Sequence, residues 1–396
     1  MPYRQNQGML VVLCLFSILF LGVADNQVLS PLLPAIRKQL SRSPSEASFL
    51  FTGYSLCAGI SVLLWGPLSD FFGRRRGLVT GLSVFTAGST AAFMAPDFRT
   101  LLFARIITGM GASMLSLNTI SYAADYFPYE RRGWAMGSIF SSYFAALILG
   151  VPIGAWVGEK YGWHSVFGLG GFTALSLLII ARITLPSLKR HRSPDQAEFI
   201  ALQEIRTYMS FLRERHTLGA LLSSFCASAG TTGFLAFLGI WLHDAFGISG
   251  KKVGLVFLVS GAAALVASPL AGSLSDRIGK RTQFAVCNVA LALLLVLLPR
   301  LSWGVPLFGV FCAISLAAAF RQGPMEALLS EVVPTALRGS FIALKNSFSQ
   351  LGIALAALLS GMAFESTGYA AVCWIGVTAN LAASGALVFM VRGRRL

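Results

Sequence analysis

The chain has 396 residues, 55% of them hydrophobic and only 12% charged. Soluble domains carry about a quarter charged residues, so a water-soluble globule is excluded and lipid is the solvent for most of the chain. The formal net charge of +15 does not mark a nucleic-acid binder, because the basic residues sit in short loops between apolar stretches, the arrangement that orients membrane helices.

In chain order, twelve apolar stretches are each long enough to cross a hydrocarbon core of roughly 30 Å as a helix. They cover 8–34, 47–69, 77–95, 99–123, 133–157 and 165–185, then 218–241, 252–272, 283–300, 303–327, 339–363 and 369–390. The first runs too long for a cleaved signal and carries Asp25 and Asn26 where a signal would end in small residues, so it is read as a helix. Most of the 31 Lys and Arg fall in loops on the side of the N-terminus, which predicts that both termini are cytoplasmic; Arg37, Lys38 and Arg42 run against the trend. The six cysteines lie inside apolar spans at unrelated spacings and give neither a disulfide framework nor a metal pattern.

The second and third spans are joined by Gly66-Pro-Leu-Ser-Asp70-Phe-Phe-Gly73-Arg74-Arg75, and the eighth and ninth by Gly272-Ser-Leu-Ser-Asp276-Arg277-Ile-Gly279-Lys-Arg. A second pair of motifs, Asp125-x-x-Pro-x-x-x-Arg132 and Glu331-x-x-Pro-x-x-x-Arg338, repeats at the same offset of 206 residues. Two motifs sharing one offset make the chain a duplicated six-helix unit. Its parts are an N-terminal bundle over 1–185, a linker over 186–217 whose apolar spacing predicts an amphipathic cytoplasmic helix, and a C-terminal bundle over 218–396. A parallel duplication of this kind places a substrate site near the midplane between the halves.

These residues resemble the major facilitator superfamily over essentially the whole chain. The loop of residues 66–75 looks like its cytoplasmic signature, with Phe71 departing from the usual basic residue and the second copy keeping Arg277. Glycines 66 and 73 let two helix ends approach, and Asp70 can cap a helix or pair with Arg74 or the arginines near Arg132, a latch on one conformation. The run Gly150-Val-Pro152-Ile-Gly154-x-x-x-Gly158 looks like the twelve-helix drug–proton antiporter branch, especially its sugar-efflux-like members, although Val151 replaces a glycine. Glycines at steps of four also permit close helix contact without any coupling role. Leu101-x-x-x-Arg105-x-x-Thr108-Gly109 looks like the fourth-helix motif, whose arginine the resemblance implicates in proton coupling.

Charges at membrane depth cost about 2.5–3.5 kcal/mol on insertion scales and mark function by default. At roughly 1.5 Å per residue, Asp25 and Arg105 reach the same depth from opposite sides, so a pair is predicted with Asp25 as proton acceptor; a static pair is the alternative. Arg321 is expected either to receive an anionic group of the substrate or to pair with Glu326, and Lys345 to reach toward the cytoplasm. Phe234, Phe237 and Trp241 on the seventh span, and Asn346 and Gln350 on the eleventh, are candidate cavity residues.

No P-loop, nucleophile elbow, zinc motif or dinucleotide glycine pattern occurs, and the four histidines lie near helix ends or in the linker, none in a motif that pairs it with a nucleophile. The expectation is therefore an all-α membrane protein of twelve transmembrane helices in two pseudo-symmetric bundles, not an enzyme, without metal or cofactor beyond a proton gradient. It would export a small amphipathic molecule across the bacterial inner membrane, as a monomer whose partners are substrate, proton and lipid bilayer, with no nucleic acid. Uptake or facilitated diffusion of an anionic or lipid-like metabolite is the rival.

Overall fold

The computed structural model describes residues 5–187, 196–334 and 337–391. Sixteen α-helices follow one another with no strand among the described residues: α1 (Gln5–Gln27), α2 (Leu29–Gln39), α3 (Pro44–Phe72), α4 (Arg74–Phe93), α5 (Phe98–Tyr126), α6 (Tyr129–Phe140), α7 (Ser142–Ala145), α8 (Val151–Tyr161), α9 (Trp163–Thr184), α10 (Gln196–Arg213), α11 (Arg215–Phe246), α12 (Gly250–Ile278), α13 (Lys280–Leu297), α14 (Val305–Glu331), α15 (Arg338–Thr367) and α16 (Tyr369–Met390). Among the described residues eleven segments are long and apolar enough to cross a membrane, one of them the run Tyr129–Tyr161 that unites α6, α7 and α8. The twelfth crossing is α4, which opens on Arg74, Arg75 and Arg76 and packs between α5 and α9.

Local chemistry sets where these helices begin and bend. The chain enters α3 through a capping box, Ser43 accepting from the Glu46 amide while Glu46 accepts from the Ser43 amide, with Pro44 opening the helix. Asp97 caps α5 by accepting from the Thr100 amide at 2.8 Å, a bond that holds its carboxyl below the usual carboxylate range. Two tight turns need glycine: Gly73, between α3 and α4, has φ +92°, and Gly279, its counterpart 206 residues on, has φ +88°. The first apolar span, expected as one helix over 8–34, is two pieces. Pro31 and Pro34 lack an N–H, and the chain breaks at Val28 before restarting as α2. Pro152 acts similarly in the fifth crossing, where a π-helical turn, Ala146–Gly150, precedes α8.

The core shows how the halves meet. One large cluster of buried apolar residues draws on α2, α3 and α9 of the first half and on α11, α12 and α14 of the second. At the end nearer the termini the apolar packing divides, with one cluster belonging to the first half and another mainly to the second. Direct hydrogen bonds between the halves gather at the far end: Ser30 Oγ donates to the Leu235 carbonyl at 2.5 Å, and Glu365 accepts from Ser43 Oγ at 2.9 Å and the Ser45 amide at 3.1 Å. The Lys251 amide donates to Glu159 at 2.9 Å, and Arg37 lies 3.4 Å from Asp244. The halves are thus joined at the end away from the termini and parted toward the termini. There α10 lies against α3 and α15, with Tyr208 beside Gly66 and Ser340 donating to Glu204 at 3.1 Å.

Candidate functional site

Asp25 stands near the end of α1, three residues before the break into α2. Its carboxylate accepts from Arg105 Nη1 at 2.6 Å. Arg105 is completely buried, at 0% exposure, and Asp25 nearly so, at 8%. The guanidinium is held between aromatic faces, its centre 4.5 Å from the Tyr54 ring and 5.6 Å from the Phe167 ring. Gly109 makes this possible: α5 lies so close to α3 that a methyl group at this position would collide with the Tyr54 carbonyl. Arg105 Nε and Nη2 have no hydrogen-bond partner, so the bond to Asp25 is the principal polar restraint on a buried cation.

The glycines of the fifth crossing serve the same neighbourhood. A Cβ on Gly150 would fall 2.7 Å from the Ala24 methyl, and Cβ atoms on Gly154 and Gly158 would strike Val28 and Leu32. This face therefore follows α1 through its break into α2, starting beside Asp25. Pro152 faces the other half, its Cα 3.0 Å from where a Cβ on Gly254 would lie.

Profile comparison matches the Major Facilitator Superfamily over residues 15–238 and 220–395. The chain belongs to the major facilitator superfamily. Among its relatives are the uncharacterized MFS-type transporter YwfA of Bacillus subtilis, 27% identical over 93% of this chain and 89% of its own length, and the riboflavin transporter RibZ of Clostridioides difficile, 23% identical over 89% and 87%. Multidrug resistance protein 2 of Bacillus subtilis is 21% identical over 91% and 90%. A partially occluded inward-open structure of the xylose transporter XylE from E. coli superposes with TM-score 0.77 at 19% identity, covering 99% of this chain and 100% of that one. A D-xylose–proton symporter structure gives 0.75 at 19%, covering 98% of each. The twelve-helix, two-bundle fold is that of the superfamily, and this chain is a multi-pass membrane transporter.

In this superfamily member the signature loops hold helices of one half together. Arg74 donates to Ser69 Oγ at 2.5 Å and lies 3.7 Å from Asp125. Arg75 donates to the Arg182 carbonyl at the end of α9, and Arg281, its counterpart at the repeat offset, donates to the Val388 carbonyl at 2.8 Å near the end of α16. Since 182 and 388 also differ by 206, the two braces are equivalent. Arg132 reaches the Phe127 carbonyl at 3.5 Å, Arg277 is exposed and Arg338 partly buried. Gly272 lies on α12; the side chains of Asp70 and Asp276 lie outside the described residues, as does that of Glu331.

The second half departs most from expectation. Arg321 meets neither Glu326 nor open space. It is buried, donating through Nη1 to Asn288 at 3.0 Å and Asn380 at 2.8 Å and through Nη2 to the Ala227 carbonyl at 3.3 Å. Glu326 is bound instead by Lys345, whose Nζ lies 2.7 and 2.6 Å from its two oxygens. Lys345 is buried rather than extended to the cytoplasm. Phe234, Phe237 and Trp241 are buried in the cluster joining the halves: Tyr369 donates to the Phe234 carbonyl at 3.0 Å, Phe237 stacks on Phe364 at 5.6 Å and Trp241 on Tyr369 at 4.3 Å. They pack the far-end closure. Asn346 and Gln350 are partly buried, with Gln350 against Gly59 of α3. Tyr54, Phe167, Asn288 and Asn380 escaped the sequence reading because aromatic and amide residues in apolar spans are common; the 206 offset, which aligns Asn288, Arg321 and Asn380 with Leu82, Leu115 and Ala174, was the signal that could have grouped the last two.

Proposed function

We propose that this chain is a secondary active transporter that couples proton movement to export of a small amphipathic molecule by alternating access, with Asp25 as the proton acceptor. The observation that carries the reading is the buried Asp25–Arg105 pair at 2.6 Å. Intramembrane carboxylates are the groups that carry protons in pumps and transporters. A proton arriving at Asp25 removes the counterion of Arg105, leaving the guanidinium to its aromatic faces and to two donors that already lack partners. The consequence passes to α2, which begins four residues after Asp25 and carries Ser30 and Arg37 into the far-end closure. Protonation thereby weakens one anchor of the helix that seals the halves.

Transport in this superfamily needs no bound cofactor; in this reading the proton gradient supplies the free energy. From the excess of basic loops we place both termini in the cytoplasm of a bacterial cell, so that the parted ends face inward. One duplicated chain closes the whole path, and a monomer suffices. The bundles are assigned to 1–185 and 218–396, with 186–217 between them. The rival, uptake of an anionic metabolite with Arg105 and Arg321 as ligands, is disfavoured by the burial of both side chains.

The test is reconstitution in liposomes with an internal pH dye, an imposed proton gradient, and amphipathic cations, sugars and anionic metabolites offered in turn. Substrate-triggered proton movement is expected in the wild type and is expected to vanish in Asp25→Asn. Substrate movement that ignores the gradient and survives Asp25→Asn would leave a facilitator with a purely structural ion pair.

A further inference from the structure

The halves meet along two seams that the repeat makes equivalent, α8 against α12 and α15 against α3. Each is fastened in the same way. The Lys251 amide donates to Glu159 at 2.9 Å and the Ser45 amide to Glu365 at 3.1 Å, with donors and acceptors both 206 residues apart. Around this shared bond the chemistry differs. The first seam carries Trp156, Lys160, Lys251 and Lys252 where the second has Met362, Ser366, Ser45 and Glu46 at the repeat offset. Closure of the far end accounts for the shared bond, but not for three lysines and a tryptophan on one seam alone.

The basic seam is also a groove of about 550 Å³, walled by Ile153 and Trp156 of α8 and Leu255 of α12, with Glu159, Lys251 and Lys252 lining it at the far end. It opens toward lipid rather than toward the path between the halves. On its other face α8 turns Gly154 and Gly158 to the break between α1 and α2, and α12 sends Val253, Val256 and Phe257 into the core, whereas Ile153, Trp156 and Leu255 are half-exposed. At 1.5 Å per residue, Ile153 lies about 10 Å below Lys160 and Leu255 about 4.5 Å below Lys252, so the charges form a rim over an apolar floor. Lys160 Nζ sits over the Trp156 and Tyr161 rings at 5.2 and 5.1 Å. Lys251 and Lys252 are exposed, and among the described residues their ammonium groups meet no acceptor; Glu159, the one carboxylate lining the groove, is engaged by the Lys251 amide. A lipid-facing apolar groove under a basic rim, with an aromatic ring at the boundary, has the order of a negatively charged phospholipid, acyl carbon below and phosphate above. A zwitterionic head would bring a cation of its own to the lysines, and a water-soluble anion would leave the apolar floor uncovered.

We propose that this groove binds an anionic phospholipid of the leaflet at the far end and that the bound lipid favours the closed far end. Lys160 belongs to one half and Lys251 and Lys252 to the other, so a phosphate held by all three needs the seam shut, and a ligand that binds one arrangement better shifts the population toward it. The closure rests on the alternating-access reading, whereas binding is measured without transport, so the two can fail separately. The full chain is placed in phosphatidylcholine nanodiscs carrying a small fraction of brominated phosphatidylglycerol or of brominated phosphatidylcholine with the same chains. Contact is read as quenching of the part of the tryptophan emission that Trp156→Phe removes. The wild type is expected to prefer phosphatidylglycerol at least about five-fold, the contribution of roughly one lysine near a membrane surface. Lys251→Gln with Lys252→Gln is expected to abolish the preference, whereas Lys38→Gln with Arg300→Gln, which removes the same charge elsewhere at the far end, leaves it; all four side chains are exposed, so neither double variant disturbs the core. With the native cysteines replaced and spin labels at Lys38 and Ala245, phosphatidylglycerol is expected to raise the short-distance population about two-fold in the parent and not in the Lys251→Gln, Lys252→Gln variant. Equal quenching by the two lipids, or loss of preference in both double variants, would overturn the site. Release of the brominated phosphatidylglycerol by millimolar inorganic phosphate would overturn the lipid as its occupant in favour of a free anion. A far-end distribution indifferent to phosphatidylglycerol that still binds would overturn the closure.

Discussion

Arg321 is a cation in the interior of a membrane bundle whose acceptors are all neutral: two asparagines and one carbonyl. The repeat explains what it replaces. At the 206 offset, Arg321, Asn288, Asn380 and Ala227 correspond to Leu115, Leu82, Ala174 and Leu21, which pack together in the apolar core of the first half. One half fills the junction of four helices with hydrocarbon, and the other with a hydrogen-bonded knot. A knot of this kind is strong only while complete, because each stranded buried donor or acceptor costs about 1–3 kcal/mol. Arg321→Leu alone is therefore expected to lower the thermal midpoint of the purified protein by several degrees. Arg321→Leu with Asn288→Leu and Asn380→Ala, which copies the first half, is expected to recover most of that loss, as apolar replacements of complete buried polar groups often do. Transport by the triple variant would agree with Arg321 lying outside the substrate path; a triple variant as unstable as the single would refute the account. The contrast also shows what a sequence discloses at this scale. Asp25 and Arg105 were conspicuous as charges in apolar spans whose depth follows from helical rise, whereas the partners of Arg321 were neutral residues on distant helices that only the fold brings together.

At the scale of elements, the decisive features are the places where helices are pressed together or broken. The glycine face of the fifth crossing was legible from its four-residue spacing, but its partner, the broken helix from Ala24 through Val28 to Leu32, was not. Reading 8–34 as one helix missed that Pro31 and Pro34 withdraw donors from a chain that otherwise stays close to helical geometry. The consequences of filling that face differ along its length. At Gly158 the obstructing atom is the flexible end of Leu32, which can swing aside, whereas at Gly150 it is the Ala24 methyl, fixed to the backbone next to Asp25. Gly150→Ala is accordingly expected to reduce proton-coupled flux in liposomes several-fold, and Gly158→Ala to change it by less than two-fold. Gly109→Ala, which meets the Tyr54 backbone, is expected to prevent stable folding, read as loss of a monodisperse peak on size exclusion. Equal effects of Gly150→Ala and Gly158→Ala on flux would show that the face is ordinary packing, unconnected to the movement of α1.

For the whole molecule, the duplication was the most legible feature, since offsets between motifs survive wherever turns need the same residues. Gly162 and Gly368, with φ +85° and +84° before α9 and α16, extend the 206 register beyond the two motifs that first revealed it. Which end of the molecule is closed was not legible, because the same sequence must be compatible with both ends closing in turn, and small free-energy differences decide the populations. In this structure the far end is held by polar contacts of unequal strength. Arg37 and Asp244 are both partly exposed at 3.4 Å, and such pairs contribute little. Glu365 accepts from a hydroxyl and from a backbone amide at the start of α3, where the helix dipole adds to the attraction. Removing it should cost the closed far end about 1 kcal/mol, roughly a five-fold shift toward opening at that end. With the native cysteines replaced and spin labels at Lys38 and Ala245, Glu365→Ala is expected to increase the long-distance population across the far end, while Asp244→Asn leaves the distribution close to that of the parent. If Asp244→Asn opens the far end as readily as Glu365→Ala, the closure depends on general surface charge rather than on the seat that Glu365 occupies at the start of α3.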